Sequence, residues 1–212
     1  MCSGRVDLEF IFRSFAKGQD GVFIGGCKLD ECNYTTHGNY DALANTYIAK
    51  RLLKHIGINP KRLRTEFMSG ADGNLLAEYT DNFSGEIKEL GPLGTSEGLN
   101  RDELKIKLEA VRKLIPYLRL VERERLRAPE KTKQAYTEFF ESYETKNLFD
   151  KIVSDKLAIS QILLLLKDKA LSTSDIAQNL NLNPSDVSRH MNTSSRQGLI
   201  KYDTNSNCYA LA

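Results

Sequence analysis

Cys27 and Cys32 are separated by four residues in the run Gly25-Gly26-Cys27-Lys28-Leu29-Asp30-Glu31-Cys32. Two thiols at this spacing occur in plant-type iron–sulfur ligation. Spacing alone is a weak signal, because cysteine pairs also arise by chance. Cys2 strengthens it. It lies in Met1-Cys2-Ser3-Gly4-Arg5, a segment placed to follow a strand of the same sheet. Carboxyl ends of neighbouring parallel strands converge, so Cys2 is expected to approach Cys27 and Cys32. Cys208, near the far end, reads as a small residue on a strand rather than a ligand. His37 follows the cysteine loop, as a ligand or as a polar residue at a helix start. Tyr34 and Tyr40 either shield such a site or pack ordinarily.

The elements that must position these thiols follow from periodicity. Residues 7–17 carry Leu8, Ile11, Phe12 and Phe15 on one helical stripe, ended by Gly18. Residues 21–26, a short apolar run between glycines, predict a buried strand. Residues 27–38 read as a loop. Residues 39–56 predict a long helix, capped by Asn39 or an earlier residue, with Gly57 behind it. Residues 63–68 predict a second strand and 71–90 a further helix. Helices alternating with short strands make residues 1–93 an α/β domain on a small parallel sheet. Loops at the carboxyl ends of such strands are where open α/β sheets place their sites.

Residues 94–150 read as a linker and amphipathic helices. The stretch 91–98, Gly-Pro-Leu-Gly-Thr-Ser-Glu-Gly, is the clearest linker by composition. Residues 101–127 predict one long helix with Leu104, Leu108, Val111, Leu114, Ile115, Leu118 and Val121 on a stripe. Pro116 inside it predicts a kink or break. The stripe packs within its own domain or serves as a partner or homodimer helix. Residues 151–212 predict helices at 152–167, 172–180 and 183–198, then strands at 199–203 and 208–211 around a turn-rich tip. Three helices followed by a hairpin is the layout of a winged helix-turn-helix.

Composition bounds the function. The 212 residues are 41% hydrophobic and 27% charged, enough to bury a core. The net charge of +2 implies no nucleic-acid or membrane partner by itself. The longest unbroken apolar run, residues 162–166, has five members, too few to span a membrane. Asp7, Glu9 and Arg13 interrupt any signal-peptide core. A soluble, cytoplasmic protein is expected. No glycine fingerprint or P-loop supports nucleotide binding, and no Ser-His-Asp or HExxH grouping is visible.

Several stretches together resemble the delta, or iron–sulfur, subunit of methyl-viologen-reducing hydrogenase. They are Met1-Cys2-Ser3-Gly4-Arg5-Val6-Asp7, the run from Gly25 to Tyr34, His37-Gly38-Asn39-Tyr40, Arg62-Leu63-Arg64 and Met68-Ser69-Gly70-Ala71-Asp72-Gly73. The resemblance covers residues 1–93. It implies a [2Fe-2S] cluster with Cys2, Cys27 and Cys32 at the family's cysteine positions. It also implies electron relay between a heterodisulfide-reductase A-type flavoprotein and a hydrogenase or other donor subunit. Such a cluster takes four thiolates. Family members usually carry a strand and a further cysteine motif before the segment matched at Met1. The resemblance therefore implies a sheet lacking its first strand, with the fourth ligand upstream or elsewhere. Asp30 and Glu31 would add negative charge beside the cluster and lower its potential, or else stand as solvated loop residues.

Residues 171–191 resemble the DNA-binding domains of small repressors of the ArsR or MarR type. A recognition helix there would present Ser185, Ser188, Arg189 and Asn192 to base edges or phosphates, flanked by Arg196 and Lys201. Yet residues 151–212 carry seven Lys/Arg against five Asp/Glu, a thin footprint where phosphate neutralisation drives affinity. Two functions are expected. The first is a non-catalytic electron-transfer subunit whose winged helix docks partners. The alternative is a redox-responsive regulator that binds DNA as a dimer. The charge and the family resemblance favour the first.

Overall fold

The computed structural model describes residues 2–34, 38–204 and 206–212, and of Arg123 the backbone alone. Two compact units divide the chain. One comprises residues 1–100 and 115–148, the other residues 101–114 and 149–212.

The first unit is built on a two-stranded parallel sheet, β1 (Val22–Cys27) and β2 (Leu63–Met68). Its register runs from Val22 opposite Leu63 to Cys27 opposite Met68. Parallel strands need a crossover, and α2 (Asn39–His55) supplies it. Before β1 comes α1 (Leu8–Ala16), whose Asp7 cap accepts a hydrogen bond from the Phe10 N–H at 3.2 Å. The stripe read from sequence is its buried face: Leu8, Ile11, Phe12 and Phe15. Each such side chain removed from water contributes about 1.5–3 kcal/mol. α3 (Gly73–Leu90) follows β2, and α1, α2 and α3 all pack on the sheet.

The stretch 91–98 is not a free linker. Arg62, 0% exposed, holds it down. Its Nε donates to Glu97 Oε1 at 2.7 Å. Its Nη1 donates to the carbonyls of Asp20 and Gly91, both at 2.9 Å. Its Nη2 reaches the Pro92 carbonyl, Ser96 Oγ and Glu97 Oε2 at 3.1–3.2 Å. A guanidinium has five N–H donors and no acceptor, and burial is tolerable here because those donors find oxygen.

α4 (Arg101–Arg125) runs through Pro116 without a break. Of the kink or break expected there, the break does not occur. Leu108, Val111, Leu114, Ile115, Leu118 and Val121 are all buried, and that burial outweighs the roughly 3 kcal/mol cost of an interior proline. The stripe is therefore spent on packing within the chain. α5 (Lys133–Glu141), which periodicity did not reveal, buries Tyr136 and Phe140. Tyr136 meets the Tyr40 ring at 5.1 Å and Phe140 stacks on Tyr47 at 5.0 Å.

The second unit is a winged helix. After α6 (Tyr143–Leu165) come α7 (Thr173–Leu180), α8 (Pro184–Arg196), and the antiparallel β3 (Ile200–Asp203) and β4 (Cys208–Leu211). Ser172 and Asp175 form a capping box at the start of α7. Asn181, left-handed at φ 51°, ends it. Asn183 caps α8, with Pro184 at its first position. The core joins Ile162, Leu166, Ile176, Val187, Met191 and Ile200. Among the described residues no helix is long and apolar enough to cross a membrane.

Candidate functional site

The carboxyl end of the β1–β2 sheet carries the thiols. Cys27 is the last residue of β1. Cys2 precedes a 3-10 turn, Ser3–Arg5, and its sulfur accepts the Gly4 N–H at 3.4 Å. Cys32 sits in the loop after β1, and its sulfur meets that of Cys2 at 3.6 Å. Asn39, 1% exposed, holds the start of the loop. Its Nδ2 donates to the carbonyls of Cys27 at 2.9 Å and Lys28 at 2.8 Å, and lies 3.6 Å from the Cys27 sulfur. Of the two caps expected, Asn39 or an earlier residue, the earlier one holds. Gly38 occupies the cap, and the Asn39 side chain reaches back to the strand end.

Two glycines let the turn and the loop meet. A Cβ on Gly4 would stand 2.4 Å from the Gly38 carbonyl oxygen. A Cβ on Gly38 would stand 2.7 Å from the Cys32 sulfur and 2.4 Å from the Tyr34 carbonyl oxygen. Only chains without side chains at both positions pack this closely. Within the loop, Asp30 is left-handed at φ 73°, and its Oδ1 accepts the Tyr40 hydroxyl at 2.6 Å. Burial, followed by this carboxylate, pushes the Tyr40 hydroxyl up to about 12. Lys28 and Glu31 form an exposed pair at 3.3 Å, of little energetic weight.

The thiols differ electrostatically. Partial desolvation, then the Cys32 and Cys2 sulfurs, push the Cys27 thiol up. Cys32 is pulled down, first by the backbone N–H groups of Tyr34 and Asn39. Such N–H donors favour thiolate. Two thiolates on one tetrahedral metal at about 2.3 Å stand about 3.8 Å apart, and the Cys2–Cys32 separation is close to that edge. The donor chemistry suits an iron–sulfur group, but these thiols number three where such a cluster takes four ligands. Among the described residues no group of three or more His, Cys, Asp or Glu side chains is arranged to hold a metal ion.

Of the other residues singled out, His37 lies outside the described residues. Tyr34 is 62% exposed and Tyr40 is buried. Cys208 belongs to β4 of the other unit, paired in register with Asp203. Ser185, Ser188, Arg189 and Asn192 share the exposed face of α8. Arg189 is already engaged: its guanidinium grips both oxygens of Asp155 at 3.1 Å and Asp186 at 3.2 Å. Sequence reasoning missed Asp155, the Asn39 lock and the Gly4–Gly38 approach. Each is a long-range relationship without a local signal.

Comparison with known proteins places these features. The family model described as methyl-viologen-reducing hydrogenase, delta subunit, matches residues 1–91. That described as bacterial regulatory protein, arsR family, matches residues 160–202. A ferredoxin:CoB-CoM heterodisulfide reductase subunit of Methanosarcina mazei, of the A type, is 41% identical over 113 residues, 53% of this chain and 14% of that protein. An F420-non-reducing hydrogenase iron-sulfur subunit of Archaeoglobus profundus is 45% identical over 91 residues, 43% of this chain and 66% of that protein. The corresponding vhu iron-sulfur subunit of Methanopyrus kandleri is 39% identical over 92 residues, 43% of this chain and 69% of that protein. This chain thus spans only a small part of the heterodisulfide reductase subunits and about two thirds of the hydrogenase ones. Through the unit that gathers Cys2, Cys27 and Cys32, the chain belongs to the methyl-viologen-reducing hydrogenase delta subunit family.

Proposed function

We propose that this chain is a cytoplasmic iron–sulfur electron-transfer subunit. It passes single electrons between a heterodisulfide-reductase A-type flavoprotein and a hydrogenase or other donor subunit, and performs no substrate chemistry itself. The observation that carries this reading is the meeting of the Cys2 and Cys32 sulfurs at 3.6 Å, at the sheet end that Cys27 closes. A [2Fe-2S] cluster, when bound, supplies one-electron redox chemistry. Cys2, Cys27 and Cys32 would hold it, with a fourth ligand beyond these three. The Gly4 N–H on Cys2, and the Tyr34 and Asn39 N–H groups on Cys32, stabilise anionic sulfur. Asp30 and Glu31 on the same loop oppose that effect. Exposed Cys27 and Tyr34 keep the loop at the surface, where a partner's redox centre can approach.

The winged helix serves docking in this reading. Arg189, the one basic side chain among the four candidate DNA contacts, is bound to carboxylates on its own unit. Anaerobic purification of the full chain, iron and sulfide analysis, and an EPR spectrum after reduction test the assignment. Cys27→Ser and Cys32→Ser abolish the visible absorbance and the reduced-state signal, and Cys208→Ser leaves both intact. Unchanged spectra in the first two variants overturn the ligand set. An operator footprint lost with Arg189→Ala, without a flavoprotein partner, would instead establish the regulator.

A further inference from the structure

We propose that Cys2 and Cys32 form a reversible disulfide when their sulfurs carry no metal, closing the site and leaving Cys27 as a free thiol. Sequence proximity favours the other pair, Cys27 with Cys32. The geometry selects differently. The Cys2 and Cys32 sulfurs are in contact at 3.6 Å and need to close by about 1.5 Å to reach bonding distance. The Cys27 sulfur also interacts with that of Cys32, but it is held against the Asn39 amide, which also holds the Cys27 carbonyl.

The approach of the pair is built into the backbone. The 3-10 turn is fixed by the Arg5 N–H on the Cys2 carbonyl at 3.0 Å and the Val6 N–H on the Ser3 carbonyl at 2.9 Å. The start of the loop, at Cys27 and Lys28, is held by Asn39, and Gly4 and Gly38 remove the side chains that would separate the turn from Cys32. Both cysteines are partly exposed, so a small oxidant reaches them.

The oxidant is a low-molecular-weight disulfide such as oxidised glutathione. One cysteine sulfur attacks it, forming a mixed disulfide and expelling one glutathione thiol. The other cysteine attacks the protein sulfur of that mixed disulfide and expels the second. The two protein thiols lose two electrons and two protons, and the oxidant leaves as two thiols. The bond ties the segment before the 3-10 turn to the loop before α2 and withdraws two sulfurs from metal. The proposal stands on the sulfur geometry and not on the proposed function, since a chain that never held a cluster would still close the bond.

Trypsin places Cys2, Cys27, Cys32 and Cys208 on four separate peptides: 1–5, 18–28, 29–50 and 202–212. The full chain is stripped with a chelator under reductant, desalted, treated with oxidised glutathione, alkylated and digested. Mass spectrometry is expected to find 1–5 joined to 29–50, with 18–28 and 202–212 alkylated, and the link reversed by dithiothreitol. In Cys32→Ser, glutathione is expected to remain on Cys2. A link between 18–28 and 29–50, all four peptides alkylated, or Cys2 joined to Cys27 in Cys32→Ser overturns the proposal. Iron and EPR measurements on untreated protein report separately on the cluster.

Discussion

Gly4 and Gly38 meet backbone to backbone: a Cβ on the first would stand 2.4 Å from the carbonyl oxygen of the second. This contact, between residues 34 positions apart in the numbering, brings the 3-10 turn against the start of α2 and sets the two sulfurs side by side.

Gly4→Ala is therefore expected to push the turn away and part Cys2 from Cys32. Overpacking of this kind costs about 1–3 kcal/mol. Iron bound per chain and the yield of the Cys2–Cys32 link both fall, while the winged helix melts as before. Differential scanning calorimetry with iron analysis checks this, and full iron loading in the variant would contradict it.

Glu97 gives the first unit an acid-sensitive anchor. Burial would raise its carboxyl, but the Arg62 guanidinium and the Asn59 N–H more than offset this and hold it below the usual range. A carboxyl depressed in the folded state contributes stability that is full above the unfolded value, about 4.3. That contribution is lost as pH falls through the lower folded value. Urea titrations at a series of pH values are expected to show stability declining below about pH 4.3. Glu97→Gln flattens that decline and costs about 3 kcal/mol at neutral pH, because it strands the buried guanidinium.

His190 makes the winged helix sensitive in a higher window. Burial, then the neighbouring Arg189, push its imidazole down, against the pull of Asp155 and Asp186. With the folded value depressed, stability is full above the unfolded value of about 6.5 and declines as pH falls through the folded one. Thermal melts of the full chain are expected to show the second unit weakening in this range. His190→Leu removes the pH dependence.

Arg189 provides a test of what α8 touches. Its pairs with Asp155 and Asp186 are more than half exposed on every side chain, so Arg189→Ala changes stability by less than about 1 kcal/mol. Freeing the guanidinium matters more for anions. Asp155→Asn is expected to raise salt-sensitive, sequence-independent affinity for duplex DNA, since phosphate can then take the vacated donors. Fluorescence anisotropy across a salt series measures it. Tight, sequence-preferring binding by the unaltered chain at near-physiological salt would contradict the docking role.

Much of the fold was legible because apolar stripes announce it. Leu8, Ile11, Phe12 and Phe15 gave α1, and residues 63–68 were read as β2 at its observed bounds. α5 was not legible. Its burial rests on two rings, Tyr136 and Phe140, which find Tyr40 and Tyr47 on α2, and a charged segment with two buried rings has no clear period. Arg62 was invisible for a different reason. Arginine is rarely fully buried, and what buries this one is a set of oxygens drawn from Asp20 and residues 90–97. For the thiols, residue type and position pointed to all three, and residue spacing could not say that the Cys2 sulfur, 30 positions away, comes within 3.6 Å of Cys32.

The ring of bonds around Arg62 also decides where the chain can be cut. Glycine-rich surface stretches are the usual targets of limited digestion, provided their backbone is free to enter a protease cleft. Between residues 91 and 98 it is not free. The Gly91 and Pro92 carbonyls are held by the guanidinium, the Leu93 N–H by Asp20, and the Gly94 N–H by Glu97. The stretch whose composition most invites nicking is thus closed to it in the native protein, and a truncation ending before Glu97 would remove the counter-charge that Arg62 was folded around.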